Sequence, residues 1–283
     1  MSYRPFVIIS YLRSGTHLLR TALESHPAIV CQTEVFNSDN PRLPYPLETP
    51  TETILAQWVY RTFPTSVQRV GFVLQAYHPY ALQAFPGIRS NPHWENIWSI
   101  LAEMEDLQVI QLRRHNLLRR HLSHVMARHT GQWHYWERDR TSQVTHLEPP
   151  PSAHIGAVIR SNAAITLDPV QLQTDFEEVE RWQNRAYNLL SHQPILQIAY
   201  EQLCEDFDRT GQTVLHFLDV EPKPLISAVK KLEARTLADS ITNYAALKTK
   251  FAHTEWAHFF EEQYNVSAKI ATSQIIKDKN GKA

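Results

Sequence analysis

The chain has 283 residues, 43% of them hydrophobic and 20% charged, which supports a sizeable core and excludes wholesale disorder. Lys plus Arg is 28 and Asp plus Glu is 29, a formal net charge of −1. That balance excludes a general nucleic-acid or membrane-surface binder, which needs a strong positive field, so any anion site must be a local cluster.

Phe6–Tyr11 is a short apolar run, β-branched in its centre, and reads as a buried strand. It ends in Arg13-Ser14-Gly15 with no small-residue cleavage site, so a targeting segment is not expected here. No stretch nears the ~18 apolar residues of a membrane span, and a cytoplasmic protein is expected. Helical spacing follows from Thr16 to Glu24. Ala28–Cys31, Val70–Leu74, Leu107–Leu112 and Ile195–Ala199 read as four more strands, the fourth of the five entering a helix from Asn116 to Arg128. Between them lie helical patterns at Thr53–Arg61, Trp94–Glu103 and Pro169–Leu190. This alternation predicts an α/β fold with a central parallel sheet of about five strands and helices on both faces. Trp58, Trp94, Trp98 and Trp182 sit on the helical patterns and are expected in the core.

Residues 129–168 break the alternation with Trp133-His134-Tyr135-Trp136, a charged run and Pro149-Pro150-Pro151, and are expected to form a functional loop or lid. Residues 1–264 read as a single domain and 265–283, polar and Lys-rich, as a flexible tail. Cys31 and Cys204 belong to no C-x-x-C pattern and the histidines show no ligand spacing, so neither a disulfide framework nor a metal site is expected.

The first strand, then Arg13-Ser14-Gly15-Thr16, then a helix, has the parts of a phosphate-type anion site. A helix N-terminus offers unpaired N–H donors and partial positive charge. Gly15 lets the backbone turn, Ser14 and Thr16 add hydroxyls, and Arg13 adds a planar cation. An ordinary capped turn has the same composition. A second cluster, Leu112-Arg113-Arg114-His115-Asn116 with Ser123 about two turns into the following helix, lies at the end of the fourth strand. Ligands of open α/β sheets bind at the carboxyl ends of strands, so both clusters should share one edge and take a ligand with phosphate-like groups at both ends. Part of Arg119, Arg120 and His121 reads as a solvated basic helix face. The Walker A signature is absent, which disfavours an ATP or GTP hydrolase.

Tyr11-Leu12-Arg13-Ser14-Gly15-Thr16-His17-Leu18-Leu19 resembles the 5′-phosphosulfate loop of sulfotransferases that use 3′-phosphoadenosine 5′-phosphosulfate (PAPS), in the Arg-containing form of bacterial carbohydrate, glycolipid and nodulation-factor-type members. Leu112 to Ser123 resembles that family's 3′-phosphate motif, and Tyr200-Glu201-Gln202-Leu203, Val214–Leu218, Asn243–Lys248 and Thr254–Trp256 resemble its later elements in order. The resemblance implies a P-loop-like, three-layer fold, PAPS as sulfuryl donor, adenosine 3′,5′-bisphosphate as product and no metal. It assigns donor binding to Arg13, Ser14, Gly15, Thr16, His17, Leu18, Arg114, Ser123 and Tyr200. Three departures stand out: His17 occupies a position often held by Ser or Thr, Val73 one often held by Lys, and the glycine-rich, Lys-containing nucleotide loop of animal cytosolic members is not evident.

Sulfuryl transfer to a hydroxyl, or to an amine or guanidine nitrogen, is an in-line displacement, and the acceptor must lose a proton. Glu34, in Gln32-Thr33-Glu34-Val35-Phe36-Asn37, matches a catalytic Glu of bacterial relatives and is the expected general base; an exposed loop carboxylate is the plain alternative. Burial would raise its pKa and Arg13 nearby would lower it. His17 is a second candidate base, and Arg13 would neutralise the leaving phosphate. His78 reads either as an acceptor contact or as a surface residue of a Pro-bounded loop. Trp133 and Tyr135 read as an aromatic wall for a carbohydrate or small natural product, or as a packed anchor. A P-loop kinase and a non-catalytic nucleotide-binding protein are the competing functions.

Overall fold

A computed structural model describes residues 3–40, 43–78, 91–133, 135–136, 154–155, 164–229 and 235–261. Their sheet strands are β1 (Arg4–Ser10), β2 (Ile29–Gln32), β3 (Arg69–Gln75) and β4 (Gln108–Arg113); after the two-residue β5 (Tyr135–Trp136) and β6 (His154–Ile155) comes β7 (Ile195–Ala199). One sheet has the order β2-β3-β1-β4-β7 and is parallel throughout, while β5 and β6 pair with each other. The helices α1 (Thr16–Glu24), α2 (Thr51–Ile54), α3 (Ile97–Glu103), α4 (Leu117–Thr130), α5 (Pro169–Leu189), α6 (Tyr200–Glu205) and α7 (Phe207–Phe217) connect these strands or follow β7. No described helix is long and apolar enough to cross a membrane.

The strands read as unbroken apolar runs because both faces of the sheet are covered. Phe6 and Ile8 join Val73, Ile110 and Leu112 beneath Leu19 and Leu23 of α1 and Val214 and Leu215 of α7. Val7 and Ile9, one residue out of phase, join Phe72, Leu74 and Val109 beneath Trp98 of α3, Leu118 of α4 and Phe176 of α5. Three layers result, as the α/β reading requires. From β1 the chain moves to one side for β2 and β3, then crosses to the other for β4 and β7. The switch lies at the carboxyl end of β1, where a crevice forms in such sheets.

The expected helix at Thr53–Arg61 is instead a single α-turn, α2, followed by a π-turn at Leu55–Val59, with Tyr60 N–H donating to Leu55 C=O at 2.7 Å. The wider turn lets Ile54 and Val59, five residues apart, both face the core. Trp58 is thereby turned outward to 37% exposure, its ring against Tyr45, whereas Trp94, Trp98 and Trp182 are buried as expected. The tail at 265–283 and most of 129–168 lie outside the described residues.

Candidate active site

The turn after β1 contains two left-handed residues, Arg13 at φ 66° and Gly15 at φ 86°. For Arg13 this is a costly conformation, of the kind that persists where surrounding contacts impose it. Ser14 N–H closes the turn onto Tyr11 C=O at 3.2 Å, and Leu19 N–H begins the helical ladder onto Gly15 C=O at 3.2 Å. The N–H groups of Thr16, His17 and Leu18 precede that ladder and have no carbonyl within it. Gly15 is held against Tyr200, the first residue after β7: a Cβ there would lie 2.3 Å from Tyr200 Cδ2. Gly15→Ala should therefore displace Tyr200 and strain the turn, costing about 1–3 kcal/mol in a denaturant melt.

Two guanidinium groups meet at this turn. Arg13 Nε donates to Ser123 Oγ at 3.0 Å, and a second Arg13 nitrogen donates to the Trp133 carbonyl. Arg114 donates to the Arg13 carbonyl at 3.2 Å and stacks over Tyr200 at 4.6 Å. Burial, then the charge of Arg114, lowers the Arg13 pKa to about 10, so it stays protonated at neutral pH. Among the described residues no carboxylate pairs with Arg13. Arg113, its neighbour in sequence, points elsewhere and bonds Gln183 at 2.9 Å. Glu201 accepts from the N–H groups of His115 and Asn116 at 3.1 and 3.0 Å, which secures the turn carrying Arg114.

Glu34 lies in the loop after β2. Gln75, at the end of β3, donates to Glu34 Oε1 at 2.6 Å, and Asn37 donates to Oε2 at 3.0 Å. Ser10, paired in register with Gln75, donates to Gln75 Oε1 at 3.2 Å and lies 2.8 Å from Thr16 Oγ1. Burial raises the pKa of Glu34, opposed by Gln75, Asn37 and Arg20. The opposing cation is thus Arg20 of α1 and not Arg13, as the sequence had suggested.

The fold gathers Arg13, Ser14, Gly15, Arg114, Ser123 and Tyr200 into one cluster and joins Glu34 to it through Thr16. His17 is half-buried on the first turn of α1, and Leu18 packs its side chain against the core. Trp133 is 42% exposed at the rim, its ring 5.9 Å from the Arg13 guanidinium; the Tyr135 side chain lies outside the described residues. His78 is not a surface residue: it is buried against Tyr77, and burial lowers its pKa to about 3. Arg120 and His121 are not solvated either. Both are buried on Asp175 of α5, because α5 packs on the α4 face that a lone helix would leave wet. Sequence reasoning missed Ser10, Gln75, Asn37 and Glu201. A polar residue ending an otherwise apolar strand was the available signal for Ser10 and Gln75, and the i, i+3 spacing from Glu34 was the signal for Asn37.

A sequence profile described as "Sulfotransferase family" matches residues 5–224. Nodulation protein H of Rhizobium tropici is 27% identical over 268 residues, covering 92% of this chain and 94% of that protein. Nodulation protein H of Rhizobium meliloti is 27% identical over 266 residues, covering 91% and 95%. Among solved structures, the sulfotransferase from Alicyclobacillus acidocaldarius aligns at a TM-score of 0.46 and 14% identity, over 88% of this chain and 92% of that one. With the profile matching well over half its length, the chain belongs to the sulfotransferase family and is an enzyme of that family.

Proposed function

We propose that the enzyme moves the sulfuryl group of PAPS to a hydroxyl, or to an amine or guanidine nitrogen, of a carbohydrate or small natural product. The observation that carries this reading is the meeting of Arg13 and Arg114, two half-buried cations at the carboxyl ends of β1 and β4 with no carboxylate on Arg13 among the described residues. Such a pair calls for an anion. The polar atoms around it suit a phosphate-bearing ligand: Ser14 Oγ and Arg114 Nε are buried without a protein partner, as groups reserved for a ligand are.

In this reading Arg13, Ser14, Thr16 and the first-turn N–H groups of α1 hold the phosphosulfate. Arg114 and Ser123 hold the 3′-phosphate, and Tyr200 keeps Arg114 stacked in place. Catalysis is then positioning plus neutralisation of the charge that develops on the leaving phosphate. Glu34 takes the acceptor proton, for which its raised pKa suits it. Trp133, at the rim beside Arg13, is the proposed acceptor-side surface. The family assignment sets aside the kinase and the non-catalytic alternatives.

Thermal unfolding without metal tests the donor. Adenosine 3′,5′-bisphosphate at a hundred times its Kd should stabilise by about 2.7 kcal/mol, with AMP and ATP giving much less. Stabilisation by ATP alone would reject PAPS as donor.

A further inference from the structure

A chain of hydrogen bonds leaves the Glu34 carboxylate and ends on the donor loop, and proton counting gives each link a direction. The Asp39 backbone N–H donates to Asn37 Oδ1 at 3.1 Å, which turns Asn37 Nδ2 toward Glu34 Oε2. A carboxylate only accepts, so Gln75 presents Nε2 to Glu34 Oε1 and its carbonyl to Ser10. The single Ser10 proton goes to that carbonyl, and Ser10 therefore accepts from Thr16 Oγ1. While Glu34 is ionised, the Thr16 proton points inward, away from an anion on the loop.

A proton on Glu34 reverses every link from Gln75 to Thr16. A carboxyl O–H needs an acceptor, and Asn37, held by Asp39, offers only N–H. The Gln75 amide can turn over and offer its carbonyl. Its Nε2 then donates to Ser10, Ser10 donates to Thr16, and the Thr16 proton is released toward the loop. Ser10 and Gln75 sit in register on adjacent central strands, so the links are held by rigid elements. We propose that Gln75, with Ser10, is a positioning residue that couples proton uptake by Glu34 to hydrogen bonding of the leaving phosphate by Thr16. This rests on Glu34 as base and on residues 13–18 as the donor loop.

In the transfer step the acceptor O–H or N–H bond breaks and its proton goes to Glu34. The acceptor–sulfur bond forms as the sulfur–oxygen bond to phosphate breaks, the electron pair leaving on the phosphate. The Thr16 hydrogen bond arrives as that charge appears. Besides Gln75 and Asn37, the groups acting on Glu34 are Arg20 of α1 and Tyr77 after β3. Burial, with Glu34 and Tyr11 adding to it, keeps the Tyr77 hydroxyl protonated, so the change of charge falls on Glu34.

Glu34→Gln stands in for the protonated state, because Asn37 keeps the new carbonyl and the new NH2 faces Gln75. Calorimetric titration with adenosine 3′,5′-bisphosphate at pH 8 should show about fivefold tighter binding to Glu34→Gln than to wild type. Adding Gln75→Leu, or Ser10→Ala if the first variant fails to fold, should abolish that gain. A gain that persists in either background is simple charge removal and overturns the proposal, as does equal affinity of Glu34→Gln and wild type. Wild type that binds no bisphosphate overturns the donor-loop reading and the coupling with it. Full turnover by Glu34→Gln, with bisphosphate binding intact, overturns the base reading and leaves the coupling without a reaction to serve.

Discussion

Glu34→Gln is expected to lower turnover about 10²–10⁴-fold while binding the bisphosphate more tightly than wild type. The amide keeps the size of the side chain and its bond from Asn37, so the loop after β2 stays in place. What it loses is the ability to take a proton. The same substitution should raise stability at neutral pH. Burial raises the Glu34 pKa above that of an exposed carboxyl, so between the two values the native state binds more protons than the unfolded one. Stability therefore falls as pH rises through that window, and the ionised side chain is a standing cost at pH 7. An inactive variant with a higher melting temperature separates a lost base from a damaged fold. In wild type, activity should disappear as pH falls through the raised pKa, giving an acid limb above the usual carboxylate range that Glu34→Gln lacks. Wild-type turnover in the variant would remove Glu34 from the chemistry.

Asp175→Ala is expected to cost about 3–5 kcal/mol, the largest stability loss foreseen for one side chain here. Arg120 is fully buried between α4 and the sheet, with its guanidinium 5.3 Å from the Tyr11 ring and its anion supplied by Asp175. His121 Nδ1 lies 2.9 Å from the same carboxylate oxygen. Removing that carboxylate strands a cation in the interior, which costs far more than a lost surface pair. Burial pushes the Asp175 pKa up, but Arg120 and His121 outweigh it and hold it below the ordinary value. The contribution is thus complete above the unfolded pKa and is lost as pH falls through the lowered one. Denaturant unfolding at pH 7 measures the effect. A loss below about 1 kcal/mol would mean that α4 and α5 are held together by their apolar contacts alone. Loosening α4 should also disturb the proposed donor site, because Ser123 lies one turn from Arg120 on the same helix and accepts from Arg13.

Local spacing carried the layout of the chain. The Thr16–Glu24 helix has its expected bounds because its start depends on the Gly15 turn beside it, and the five sheet strands follow from short β-branched runs. The turn from Arg13 to Thr16 was legible for the same reason, since its residues are contiguous and the chemistry of such a turn is local. The π-turn at Leu55–Val59 was not, because only the core beneath it decides that Ile54 and Val59 must both point inward. Nor could spacing distinguish Arg113 from Arg114, or a wet Arg120 from a buried one. Gln183, Tyr200 and Asp175, which settle those choices, lie 70, 86 and 55 residues away in sequence. His78 is buried for a similar reason, packed against Tyr77 with its carbonyl accepting from the Trp98 indole at 2.9 Å. The Glu34–Gln75–Ser10–Thr16 connection exists only because parallel pairing sets Ser10 beside Gln75 across 65 residues of chain. Sequence determined which groups this protein possesses and how its elements are ordered, because propensity and periodicity act over a few residues. The tertiary structure decided which polar groups are buried and what satisfies each of them, because desolvation and hydrogen bonding depend on neighbours that only the folded sheet brings together.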